Sequence, residues 1–228
     1  LGEEIKPIKT TLQNKYKKMN TKNTSLLLAG IYCLLLFSAC KKEEISESKQ
    51  EPIPNNSFVD ARDNQSYKTV QIGSQIWMAE NLKFKSPNSL CYDNNPENCT
   101  QYGRLYDWEE AMTACPDGWR LPTFDDWVLL GKIVGESVAG KVLKSESGWS
   151  SDGNGTNERK FNALPGGKHN VYNPIGFDRI GDFGYWWSSS EFHPQEAWTA
   201  GITYNSDYLI LFSSGFKVDG HSCRCLKK

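Results

Sequence analysis

The chain has 228 residues, a formal net charge of −1, 38% hydrophobic and 12% aromatic residues, and seven cysteines. A charged fraction of 23% with a mean hydropathy of −0.58 excludes a polytopic membrane protein, and eight Trp, ten Tyr and ten Phe exclude a mostly disordered chain. The near-zero charge gives no electrostatic footing for nucleic-acid binding.

Residues 1–18 read as an upstream extension without native structure, because Met19 opens an export pattern. Lys22 supplies a basic region and Leu26–Phe37 an apolar run of twelve residues, too short for a bilayer that needs about 20. The ending Ser38-Ala39-Cys40 resembles the lipobox of bacterial lipoproteins, which implies a signal peptide over 19–39, cleavage before Cys40 and acylation of Cys40. The partner so implied is a membrane, held through the lipid chains. Cleavage removes six Lys and two Glu and leaves a net charge of −5. Residues 40–57 are polar, charged and Pro-containing, a flexible tether. Their Cys-Lys-Lys-Glu-Glu opening resembles the signal that sends Bacteroidota lipoproteins to the outer face of the outer membrane.

The folded part is expected over 58–228 as a single, monomeric domain. Phe58–Ser66 reads as a lead-in. Tyr67–Ile72 and Gln75–Met78 are β-rich around Gly73-Ser74, a hairpin signal. Cys91 and Cys99 flank a turn-rich segment that brings them together, so a local disulfide is expected. Gly103–Cys115 places Leu105, Trp108, Met112 and Cys115 on one helical face, and Pro116 stops it. Thr123 with Asp126 marks a capping box for a second helix that buries Phe124, Trp127 and Leu130 and ends near Gly135. Ser145–Phe183 reads as a long loop, rich in Gly, Asn, Ser and Pro. Strands return at Gly184–Ser190, Ala197–Tyr204, Tyr208–Phe212 and Ser222–Leu226. Hairpin, helices, long loop, then strands is an α+β order.

An oxidising compartment allows disulfides. Cys115 has its partner in Cys223-Arg224-Cys225, and one of that pair is left over. On a strand, Cys223 and Cys225 share a face and could hold Cu(I); the alternative is one bridged cysteine and one small buried filler. His169, His193 and His221 are scattered and read as surface residues, with no zinc spacing. Asp152, Asn154 and Thr156 alternate like oxygen ligands of a calcium loop, but Asn157 and Ala163 replace the glycine and glutamate such a loop needs. A plain turn cluster explains them, and no cofactor is expected beyond that weak calcium site. No catalytic triad can be assembled.

Several segments together resemble the Fibrobacter succinogenes major paralogous domain family: Tyr67–Val70 with Gln75–Leu82, Gly103–Trp108, Cys115–Thr123, Phe161–Gly167, Tyr185–Ser190 and Cys223–Cys225. Trp119–Thr123 and the Cys-terminated last strand are also similar to the wider C-type-lectin-like group, which includes formylglycine-generating enzymes. The resemblance implies two short helices packed on small antiparallel sheets, a long loop region, and N- and C-terminal strands lying together. It also favours a Cys115–Cys225 disulfide and Cys223 as the odd thiol. Ser145–Phe183 then sits where such folds build a binding face, with Trp149, Tyr172, Trp186 and Trp187 as candidate aromatic platforms for a glycan or a surface protein. Of Trp186-Trp187, alternation turns one ring inward and one outward. The lectin calcium motifs are absent. The expected function is a cell-surface binding or adhesion module without catalysis. The alternatives are a copper- and thiol-dependent oxidase of the formylglycine-generating kind and a structural subunit of a surface assembly.

Overall fold

Gly73 takes φ +60°, a left-handed conformation open to glycine, and this lets a two-residue turn join two strands. In the computed structural model, which describes residues 57–228 apart from Ile175, those strands are β2 (Ser66–Ile72) and β3 (Gln75–Met78), with Ile72 opposite Gln75. The extension, the signal peptide, Cys40 and the tether as far as residue 56 lie outside the described residues. Phe58 does more than lead in: Ser57–Val59 is a strand, β1, paired antiparallel with β2.

Asn95 starts the first helix, α1 (Pro96–Tyr102), by accepting the Glu97 N–H at 3.0 Å, with Pro96 at the position that has no need of an N–H. After a two-residue strand, β4 (Leu105–Tyr106), Asp107 caps α2 (Trp108–Ala114) by accepting the Glu110 N–H at 2.8 Å. Trp108, Ala111 and Ala114 are its buried residues, while Met112 is 43% exposed. The expected stripe fails because Leu105 belongs to β4, so the helix begins three residues later and its face is rotated.

Strand β5 (Trp119–Arg120) leads to α3 (Phe124–Val134), which carries both legs of the capping box: Asp126 N–H to Thr123 Oγ1 at 3.2 Å and Thr123 N–H to Asp126 Oδ2 at 2.7 Å. Arg120 holds the same carboxylate at 2.6 Å, and the Asp126 pKa is lowered although burial opposes it. Trp127, Leu130 and Val134 are buried, whereas Phe124 is only half-buried. A short helix, α4 (Ala139–Leu143), follows. The expected loop from 145 to 183 is irregular only to Pro165; it then forms β6 (Gly166–His169) and β7 (Phe177–Ile180). The remaining strands are β8 (Phe183–His193), β9 (Glu196–Thr203), β10 (Ile210–Phe216), β11 (His221–Ser222) and β12 (Leu226–Lys227).

Two sheets result, in an α+β arrangement dominated by strands. One has the order β1-β2-β3-β12-β5; the other runs β10-β9-β8-β11-β4, with β6 beside β8 and β7 beside β6. The second is mixed, because β6 and β11 run parallel to β8. The last strand predicted from sequence, Ser222–Leu226, divides between the two sheets. Cys223-Arg224-Cys225 is the crossing point, where the Cys223 and Cys225 carbonyls accept the Leu82 and Met78 N–H groups at 2.9 and 3.0 Å.

Two apolar cores form on either side of β8. One gathers Trp77, Trp127, Leu143, Trp149, Phe161 and Trp186; the other gathers Tyr67, Met78, Tyr106, Trp108, Trp187 and both Cys223 and Cys225. Arg224, fully buried, ties the sheets together. It donates to Asn81 Oδ1 at 2.6 and 3.0 Å, to the Phe161 carbonyl at 2.6 Å, and to the Met78 and Asn162 carbonyls at 3.3 Å. Asn81 Oδ1 also accepts Trp186 Nε1–H at 2.8 Å, and Asn81 Nδ2 donates to the Tyr102 carbonyl at 2.7 Å. Burial pushes the Arg224 pKa down to about 9, so the guanidinium still carries its charge at neutral pH.

Candidate functional site

Three of the four aromatic candidates are structural. Trp186 and Trp187 do point to opposite faces of β8, but both are 0% exposed, because each face of the strand has its own core. Trp187 Nε1–H is satisfied by the Tyr106 carbonyl at 2.7 Å. Trp149 is buried too, donating Nε1–H to Ser145 Oγ at 3.0 Å and to the Ala163 carbonyl at 3.2 Å. The irregular segment therefore turns its indole into the domain and offers no platform there. Tyr172 alone among the four is open, at 71% exposure.

Tyr172 stands at one edge of a cleft of about 460 Å³. Four chain segments converge on it: Asp107 and Glu109 at the start of α2, the Pro194-Gln195 turn between β8 and β9, Phe216–Val218 at the end of β10, and Tyr172 itself. The Tyr172 and Phe216 rings meet edge to face, 5.4 Å apart at 72°, and form an apolar corner. Backbone hydrogen bonds fix the walls: Trp108 N–H to the Lys217 carbonyl at 2.9 Å and Lys217 N–H to the Gln195 carbonyl at 2.9 Å. Buried Asp219 accepts the Val171 N–H at 3.2 Å and steadies the segment that carries Tyr172. The Lys217 ammonium is 3.3 Å from Glu191 and 4.2 Å from the centre of the Trp108 ring.

Apart from Tyr172, the sequence reading missed this cleft as a site. Pro194-Gln195 turns the chain between β8 and β9, and nothing in its sequence spacing says that it lies beside Phe216. The exposure of Phe216 (38%) and Val218 (55%) is likewise decided by tertiary packing.

The cysteine candidates fall elsewhere. Cys91 is bonded to Cys99, Cys115 is bonded to Cys225, and Cys223 is a buried thiol. Burial pushes the Cys223 thiol well up, with Glu110 and Asp107 adding to the rise, which disfavours the thiolate that makes a cysteine nucleophilic. Cys223 and Cys225 do face the same core, but the Cys225 sulfur is bonded to Cys115, so the two are not a pair of free thiols.

Of the calcium candidates, the Asn154 side chain is engaged within the loop itself. Asn154 Oδ1 accepts the Trp149 N–H at 3.0 Å, and the Thr156 N–H reaches the Lys141 carbonyl at 2.9 Å. Asp152 is exposed, with φ at 58°. Among the described residues no three His, Cys, Asp or Glu side chains gather to hold a metal.

His221 corrects the expectation that all three histidines are at the surface. It is 2% exposed, packed at 4.2 Å from the Trp187 ring and 5.4 Å from Tyr185. Neither ring nitrogen has a hydrogen-bond partner. Burial drives its pKa well below the usual value, and nearby Lys168 adds to this. The unfolded chain therefore binds a proton that the folded one excludes. This contribution to stability is intact above the unfolded pKa of about 6.5 and falls by about 1.4 kcal/mol per pH unit below it, until the folded group itself titrates. Urea midpoints of the wild type should drop between pH 6.5 and 4.5 more steeply than those of His221→Phe, which keeps the stack. Parallel slopes would show that His221 takes up a proton without cost.

The sequence model of the family described as Fibrobacter succinogenes major domain matches residues 70–227. No curated protein and no solved structure matches the chain.

Proposed function

The chain belongs to the Fibrobacter succinogenes major domain family, and from there we propose that it is a non-catalytic binding module, displayed on the outer membrane through lipid on Cys40. One observation carries the reading: the Tyr172–Phe216 corner is an open aromatic surface beside a cleft whose walls are already pinned by backbone hydrogen bonds. A binding face fixed before the ligand arrives loses little order on binding. A glycan or a surface protein is the class of ligand such a corner suits, and the domain acts as a monomer.

The C-type-lectin-like reading of the fold belongs to the same proposal. It is supported by β12 lying between β3 and β5, which puts the first and last strands of the described residues in one sheet, and by the Cys115–Cys225 link from the end of α2 to the last strands. Among the described residues no helix is long and apolar enough to cross a membrane. The oxidase alternative needs Cys223 and Cys225 as a thiol pair; Cys225 is bonded to Cys115 and Cys223 is buried.

The test is retention of the chain on immobilised polysaccharides and on cell-surface extracts, compared with Tyr172→Ala and Phe216→Ala. Loss of an exposed aromatic anchor should weaken binding by about 2 kcal/mol, roughly 30-fold. Unchanged retention in both variants would place the ligand surface elsewhere.

A further inference from the structure

We propose that the cleft takes a neutral pyranose, seated on the Tyr172 ring with its hydroxyls turned to Asp107 and Glu109, and that it discriminates against acidic saccharides. This rests on reading the cleft as the module's binding site, and it adds the ligand's charge and orientation.

The apolar half of the argument is the corner. Tyr172 offers an open ring, and Phe216 stands across its edge at 72°. One face of a pyranose is lined by C–H groups and lies flat on an aromatic ring, while the second ring closes off one side. A cleft of about 460 Å³ falls in the size range of small-ligand sites.

The polar half is the facing wall. Asp107 and Glu109 line the cleft, and no ion pair among the described residues engages either of them. Asp107 Oδ1 is committed to the Glu110 N–H, which leaves Oδ2 and the Glu109 carboxylate for a ligand. Ionised carboxylates only accept hydrogen bonds, and sugar hydroxyls donate them. The cleft's one lysine does not reverse this balance, because the Lys217 ammonium is placed between Glu191 and the Trp108 ring. A carboxylate or sulfate on the ligand would meet two like charges at short range, an arrangement that costs affinity and rejects the wrong partner.

The experiment is calorimetric titration of the full chain with cellohexaose, chitohexaose and hexagalacturonate, matched in length. Either neutral oligosaccharide is expected to bind at least tenfold more tightly than the galacturonate. Tyr172→Ala should weaken that binding roughly 30-fold and Tyr172→Phe should retain it. The pair Asp107→Asn with Glu109→Gln, in which Asn keeps the helix cap, should cut the discrimination below threefold. Equal or tighter binding of hexagalacturonate that still depends on Tyr172 would overturn the charge assignment and leave the cleft as the binding site. Oligosaccharide binding indifferent to Tyr172→Ala would overturn the site itself. Failure of all three to bind would overturn the saccharide assignment, and the retention test on cell-surface extracts then decides on the module independently.

Discussion

Replacing Arg224 by Met is expected to lower the melting temperature by about 10 °C. The guanidinium is the donor for the Phe161, Asn162 and Met78 carbonyls, and it shares Asn81 Oδ1 with Trp186. Met fills most of the volume but donates nothing, so buried carbonyls lose their partners. Hydrogen bonds to charged groups contribute about 1.5–3 kcal/mol each, and orphaned buried acceptors cost on the order of 1–3 kcal/mol. Against this stands the cost of burying the charge, which no carboxylate pairs and which shows in the lowered pKa. A net loss of about 4 kcal/mol is the expected balance. A shift below 2 °C by circular dichroism would mean that the desolvation cost cancels the hydrogen bonds. Asn81→Ala should reproduce much of the loss, because Asn81 joins Arg224 to Trp186 and to the Tyr102 carbonyl.

The two disulfides should differ in worth. Cys115–Cys225 spans 110 residues of sequence and Cys91–Cys99 only 8. If a crosslink acts by restricting the unfolded chain, the long one contributes about 5 kcal/mol and the short one about 2.5 kcal/mol. Cys115→Ser with Cys225→Ser should therefore lower the urea-unfolding free energy by about 2 kcal/mol more than Cys91→Ser with Cys99→Ser. Equal losses would show that the unfolded chain already holds its ends together, as a compact denatured state does. The long link also fixes the end of α2 to the crossing segment beside Arg224, so its removal and Arg224→Met should not be additive.

Much of the scaffold was legible because local chemistry dictated it. Gly73-Ser74 between two β-rich runs, Thr123 paired with Asp126, and the stop at Pro116 each settle a few residues without outside help. Helix α1 carried its own signal, Asn95 followed by Pro96, but the flanking cysteines drew that segment toward a turn. Strands β6 and β7 were hidden because four residues each, with glycines in one, hold a strand only through their neighbours.

The site was harder, for a related reason. Alternation correctly sends Trp186 and Trp187 to opposite sides of β8. It says nothing about whether the second side faces water, and here α2, Tyr106 and His221 cover it. His221 looked like a surface residue because polarity is read locally, while its burial comes from lying next to β8. Tyr172 was singled out from its position in the long segment; its partner Phe216 and the carboxylates of α2 are about 44 and 65 residues away in the chain, a distance no motif spans.

Hydroxyl-radical footprinting of the full chain, free and with a bound polysaccharide, tests the binding face most directly. Tyr172 and Phe216 should be oxidised in the free protein and protected by the ligand, while Trp149, Trp186 and Trp187 stay unmodified in both states. Protection that leaves Tyr172 and Phe216 reactive, or oxidation of Trp187 in the free protein, would contradict it.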